Sequence, residues 1–213
     1  LQGKELEALA GASYQEVARK VLGLFLTDFT PEEIAYAVDQ AYNPKTFQAP
    51  EVTPVSLLGD GTGILELYHG PTAAFKDVAL QILPHLLTIS ARKNGDQRTY
   101  VILVATSGDT GKAALEGFRD VPGTKILVFY PKDGVSTVQK LQMVTQEGEN
   151  LGVLAVEGNF DDTQNGVKAL FQDGDIARLL AEGGYTFSSA NSINWGRLAP
   201  QIVYYFYSYL QMV

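Results

Sequence analysis

The stretch HGPTAAFKDVAL, residues 69–80, sets Lys76 among Ala73, Ala74, Phe75, Val78, Ala79 and Leu80, relieved only by Thr72 and Asp77. An apolar helical face is a costly place for an ammonium group. Either the aliphatic stem carries the charge out to water or the amine has a chemical task, and for a lysine taken at random the first is commoner. Two other stretches share this character: TSGDTGKAA, 106–114, and SSANSINWGR, 188–197. Both set small hydroxyl and amide side chains with glycine at a strand-to-helix turn, where free backbone N–H groups and the helix dipole favour an anion.

The middle stretch is not a nucleotide loop. A P-loop needs G-x-x-x-x-G-K-[ST], and residues 106–113 read T-S-G-D-T-G-K-A, so Gly111 and Lys112 fit while Thr106 and Ala113 do not. No G-x-G-x-x-G follows a strand, and G-D-G-T-G at 59–63 precedes one as a simple turn. A lysine at a helix start facing Ser107-Gly108-Asp109-Thr110-Gly111 suits another chemistry. An amine among apolar groups has its pKa lowered, and a neutral amine forms an imine with an aldehyde. Pyridoxal phosphate is the aldehyde cofactor paired with lysine in this way, an electron sink for carbanions at an amino acid's α carbon.

Composition narrows the rest. With 46% hydrophobic and 19% charged residues, the 213-residue chain has an ordinary core-forming composition, enough for one large domain or two small ones. The net charge is -8 and the basic residues are scattered, which disfavours nucleic acid and anionic membrane surfaces as partners. Absence of cysteine removes disulfides, thiolate metal sites and thiol nucleophiles, and leaves the reducing cytoplasm as the compatible compartment. His69 and His85 are the only imidazoles, and no H-E-x-x-H or comparable metal spacing occurs. No signal sequence opens the chain and no stretch of about 18 apolar residues runs uninterrupted. The chain starts at Leu1 and stops inside IVYYFYSYLQMV without cap or proline, as if cut from something longer.

The elements that must position these loops can be read from period and punctuation. Residues 1–50 form a helical amino-terminal region. Ser13 and Glu16 have capping-box spacing, and Thr30-Pro31-Glu32-Glu33 combines an N-cap, a first-turn proline and a second box. Residues 51–213 read as the first part of an α/β unit. Strands are predicted near 64–68, 99–105, 124–130, 152–156 and 185–188, and helices near 75–93, 110–119, 136–147, 162–172 and 195–212. Such alternation implies a parallel sheet with helical crossovers, ligands sitting at the carboxyl ends of its strands.

In this order and spacing HGPTAAFKD, TSGDTGKAA and SSANSINWGR resemble the signatures of threonine synthase, of the threonine dehydratase and tryptophan synthase β group of pyridoxal phosphate enzymes. The helical first fifty residues also resemble that family's amino-terminal region. The resemblance covers essentially the whole chain and implies a tryptophan synthase β-like fold that converts O-phospho-L-homoserine and water to L-threonine and phosphate. It makes Lys76 the residue that holds the cofactor and then shuttles protons at the substrate's α and β carbons. Phe75 stands beside it in the F-K-D motif, packing rather than reacting. Ser107, Gly108, Asp109, Thr110 and Gly111 match the loop that cradles the substrate carboxylate and borders the cofactor's phenolic oxygen; relatives often carry Asn where Asp109 stands. Asn191, Ser192, Asn194 and Arg197 match the motif that receives the substrate's phosphate, and an Arg fork with amides and a hydroxyl suits a dianion.

Plainer readings stand beside these. Arg197 taken alone is as readily a helix-surface residue, Ser107 and Thr110 are as readily caps, and His69 is expected to serve the turn at Gly70-Pro71. Tyr204, Tyr205, Phe206, Tyr207 and Tyr209 read as core or as subunit contact in a possible homo-oligomer. The family's glycine-rich loop for the cofactor phosphate lies downstream of residue 213, so the fold is expected to be truncated. Taken alone, the chain is expected to hold pyridoxal phosphate weakly, to associate through uncovered strands at 99–105 and 185–188, and to lack turnover. Two alternatives remain: a pyridoxal phosphate-dependent serine/threonine dehydratase, which needs no cationic phosphate receiver, and a catalytically silent binding or assembly module.

Overall fold

The computed structural model describes residues 3–192 and 194–213. A short helix α1 (Lys4–Glu7) leads into α2 (Tyr14–Gly23) and α3 (Pro31–Ala41). Both predicted capping boxes form: Ser13 and Thr30 accept the backbone N–H of Glu16 and Glu33, whose carboxylates take the cap residues' own N–H groups. The buried faces of these helices, Tyr14, Val17, Val21 and Leu22 with Ile34 and Val38, pack on a core that includes Val203, Tyr204 and Tyr207 near the chain's end. Tyr14 meets the Tyr42 and Tyr207 rings edge-on at 5.0 and 5.1 Å. The aromatic stripe is therefore divided, Tyr204 and Tyr207 being buried while Tyr205 and Tyr209 face outward.

Next come β1 (Val55–Leu57) and β2 (Gly63–Leu65), which pair antiparallel with Ser56 opposite Ile64. The strand expected at 64–68 thus lies outside the parallel sheet. Its partner is five residues upstream, a link too short for anything but a hairpin, since parallel neighbours need a crossover of a dozen residues or more.

The helix expected over 75–93 is broken into α4 (Asp77–Leu80) and α5 (Leu83–Lys93). Pro84 has no N–H for the Leu80 carbonyl four residues back. Beyond them follow β3 (Thr99–Ala105), α6 (Asp109–Phe118), β4 (Thr124–Pro131), α7 (Thr137–Val144), β5 (Leu151–Val156), α8 (Phe160–Gln172), α9 (Gly174–Glu182), β6 (Tyr185–Ser189) and α10 (Trp195–Met212). Helix α9 was not expected; Asp173 caps it by accepting from the backbone of Asp175 and Ile176.

The parallel sheet has the order β5-β4-β3-β6, with Ile102 of β3 aligned to Ile126 of β4 and Ser188 of β6. Segment 99–105 is consequently central, not the uncovered edge expected; β6, returning after α8 and α9, covers it, and the edges are β5 and β6. Alternate residues of β3 point to opposite faces. Ile102 and Val104 pack with Ala114, Leu115 and Phe118 of α6, whereas Val101 and Leu103 pack with Val167 of α8. Two covered faces explain why these strands read as continuous apolar runs. Among the described residues no helix is long and apolar enough to cross a membrane.

The turn before α4 is organised by one side chain. Asp77 is fully buried, and its carboxylate accepts from the Thr72 N–H at 2.8 Å and the Thr72 hydroxyl at 2.6 Å. Gly70 packs so closely that a Cβ there would stand 2.5 Å from the Asp77 oxygen, and Ala73 takes φ 55°, a left-handed conformation. Such a conformation costs an L-residue about 1–2 kcal/mol, which the Asp77 bonds offset. Burial pushes the Asp77 carboxyl above the usual range, against the smaller opposing pull of the Thr72 bonds.

Two predictions arise here. A Cβ on Gly117 of α6 would lie 2.1 Å from the Leu80 carbonyl oxygen. Alanine's intrinsic gain in a helix is about 1 kcal/mol, but the obstacle is backbone, so Gly117→Ala should lose about 2 kcal/mol net in urea unfolding. An unchanged or higher midpoint would show that α4 and α6 part freely. For Asp77, the folded chain holds the proton more tightly than the unfolded chain, so its contribution is complete at acid pH and declines as pH rises from the ordinary carboxylate value through the raised one. Asp77→Asn cannot ionise, and the difference in unfolding free energy between the two proteins should change across that window. A constant difference would remove Asp77 from the pH dependence.

Candidate functional site

Two of the three loops leave carboxyl ends of adjacent parallel strands: 106–108 joins β3 to α6, and 190–194 joins β6 to α10. The third, carrying Lys76, approaches from the turn around Asp77 rather than from a strand of that sheet.

Lys76 is the residue before α4, and its side chain is 18% exposed. Its Nζ donates to Asp109 Oδ2 at 3.0 Å and lies 5.3 Å from the centroid of the exposed Phe75 ring. The expected apolar setting is thus corrected, since a carboxylate faces the amine directly. Asp109 opens α6, and the Lys76 bond, then its own backbone N–H, hold its carboxyl below the usual range. Gln139 of α7 supports it by donating Nε2 to Oδ1 at 3.3 Å. Gln139 can come this near because Gly108, at φ 157°, has no side chain; a Cβ there would stand 2.2 Å from the Gln139 amide nitrogen.

Capping of this loop falls to Thr106. The buried hydroxyl accepts from the N–H groups of Gly108 and Gly111 at 3.0 and 2.9 Å and donates to the Gly108 carbonyl. Gly111 presses against Thr106, Met143 and Val128, so closely that a Cβ there would meet all three within 3.0 Å. Ser107 and Thr110, expected as possible caps, make no such bond, and the N-cap position is Gly108.

Arg197 is not a helix-surface residue. It is 6% exposed, its Nη1 donates to the Ala190 carbonyl at 2.9 Å, and its buried Nε has no partner among the described residues. Among the described residues no carboxylate pairs with it, and burial pushes the guanidinium pKa down. Asn194 works differently from its neighbours. It caps α10 by accepting from Gly196 N–H at 2.9 Å, and its amide donates to the Ser189 carbonyl at 2.7 Å.

A cavity of about 580 Å³ brings Lys76, Thr110, Asn191, Ser192 and Arg197 together with the end of β3 and Ser189. Ser107, Gly108, Asp109, Gly111, Asn194 and Phe75 do not line it. Asp109 acts on it through Lys76, and Asn194 through the start of α10. His69 lies apart, bonded at 2.7 Å to Glu66 rather than to the turn at Gly70-Pro71. The fourth wall was missed by sequence reasoning: Gln164, Val167, Lys168 and Phe171 of α8. Their spacing of three and four puts them on one helical face, a signal present but ambiguous without the strand they cover.

No protein-family model matches the chain. Threonine synthase of Schizosaccharomyces pombe is 40% identical over 215 residues, covering 97% of this chain and 40% of that protein. Threonine synthase-like 1 of Homo sapiens is 40% identical over 217 residues, covering 98% of this chain and 29% of its own length. Among solved structures, pyridoxal phosphate-bound threonine synthase from Brucella melitensis superposes with a TM-score of 0.88 at 40% identity, covering 99% of this chain and 44% of that one. The chain therefore spans less than half the length of the threonine synthases it matches. By sequence and by fold, over that part of their length, it is a homologue of the threonine synthases.

Proposed function

We propose that this chain supplies the reactive lysine and the phosphate-receiving wall of a pyridoxal phosphate-dependent threonine synthase, a lyase of threonine biosynthesis acting on O-phospho-L-homoserine in the cytoplasm. The observation that carries the reading is one cavity holding both the Lys76 amine and a buried guanidinium without a carboxylate partner. The residues fit the cofactor: a primary amine reaches the cavity wall, and the Ser107 to Gly111 loop opens a helix whose N-terminus favours negative charge.

When bound, pyridoxal phosphate supplies an electron sink for negative charge at the substrate's α carbon. Lys76 holds the cofactor, with Phe75 at its side, and moves protons at the α and β carbons. Asp109 orients the lysine and Gln139 orients Asp109. Thr110, the member of the 107–111 loop that lines the cavity, receives the substrate carboxylate, while Ser107, Gly108 and Gly111 shape the loop behind it, with the Gly108 and Gly111 N–H groups held by Thr106. Arg197, Asn191 and Ser192 receive the phosphate and stabilise it as it departs. Asn194 contributes by fixing the start of α10, so that Arg197 points inward. Serine and threonine carry a neutral hydroxyl where O-phospho-L-homoserine carries a phosphate, so a dehydratase has no side-chain anion for Arg197, which weighs against that alternative.

Borohydride treatment of the chain with pyridoxal phosphate, followed by peptide mapping, should label Lys76; label at Lys112 or Lys132 instead would sink the assignment. In the enzyme, Lys76→Ala should abolish release of phosphate and L-threonine while circular dichroism stays unchanged. A 2-oxo acid as product would support the dehydratase, and no product with no label would support the silent module.

Arg197→Ala should weaken O-phospho-L-homoserine binding by about 30-fold or more, matching a loss of about 2–5 kcal/mol for a buried charge pair, and should leave the Lys76 label intact. Calorimetric titration measures the first and peptide mapping the second. Unaltered affinity would make Arg197 a structural residue.

A further inference from the structure

The cavity is cationic in a chain whose net charge is -8. Lys76, Lys168 and Arg197 all line it, and among the described residues no aspartate or glutamate does. Lys76 has a counter-charge, Asp109 at 3.0 Å. Among the described residues the other two have only neutral partners: Arg197 meets the Ala190 carbonyl, and Lys168 donates to Gln164 Oε1 at 3.2 Å. Two cations from different walls, α10 and α8, thus remain uncompensated.

A single guanidinium neutralises only half of a phosphate monoester dianion, the form that predominates at neutral pH because the second pKa is near 6. A monoanion or a carboxylate would leave one cation unmatched, whereas a dianion matches both. We infer that Lys168, carried by α8, is the second cation of the phosphate receiver, opposite Arg197, and that the site selects the dianionic form. This rests on the phosphate reading proposed above and extends it to a residue outside the three sequence motifs. Gln164, one turn before Lys168, positions the ammonium toward the cavity.

Because Lys168 is exposed, Lys168→Gln should fold as the parent does, which circular dichroism verifies. The probe is inorganic phosphate, titrated calorimetrically at about pH 5.5 and about pH 8, on either side of its ionisation to the dianion. The parent should bind more tightly at the higher pH. Lys168→Gln should bind about fivefold more weakly there, the upper range for an exposed ion pair, and nearly equally at the lower pH; Lys168→Arg should restore the parent's behaviour. If Lys168→Gln binds like the parent at both pH values while Arg197→Ala loses binding, Lys168 has no part and the inference fails alone. Phosphate binding by neither the parent nor Arg197→Ala would overturn the phosphate reading itself.

Discussion

A carboxylate removed from water must find donors close by, and Asp77 finds them in its own chain, five residues back. That local closure sets the turn from Gly70 to Lys76, holds Ala73 in a conformation it would otherwise avoid, and places the preceding residue, Lys76, where its amine meets the start of α6. From there the dependence continues: Lys76 finds Asp109, Asp109 stands at the head of α6, and Gln139 reaches over Gly108 to steady it. The apolar sheet faces supply the bulk stability, as burial of branched side chains does generally. The Asp77 turn decides where the Lys76 amine points.

Arg197 shows the opposite economy. Leaving a buried donor without a partner costs about 1–3 kcal/mol, and the bond from Nη1 to the Ala190 carbonyl leaves Nε unmatched among the described residues. On the function proposed above, that donor stands ready for the substrate's anion. The same logic separates Arg197 from Asn194, three residues earlier, whose polar atoms are all engaged by the backbone around them. One is spent on structure and the other is kept in reserve.

The sequence made some of this legible and concealed the rest for physical reasons. Capping boxes at Ser13 and Thr30 are local, and they formed as written. The strands at 99–105 and 124–130 are legible because both faces are buried and the apolar run is unbroken. Segment 64–68 misled because a short apolar run carries no sign of which neighbour it will pair with. The break before Pro84 was readable from the missing N–H, whereas the close approach of Gly117 to the Leu80 carbonyl joins elements far apart in sequence and leaves no local signal. Lys168 was hidden for a related reason, since an exposed lysine on a helix looks like any other until a cavity is found beneath it.

The Gly117 contact also joins two helices whose leading ends carry Lys76 and Asp109. Eight residues of α6 separate Asp109 from that contact, roughly 12 Å at 1.5 Å per residue, while Leu80 is one turn from Lys76. Glycine at 117 therefore lets the two backbones meet, and that close packing sets the spacing between the helices whose leading ends bear the amine and the carboxylate.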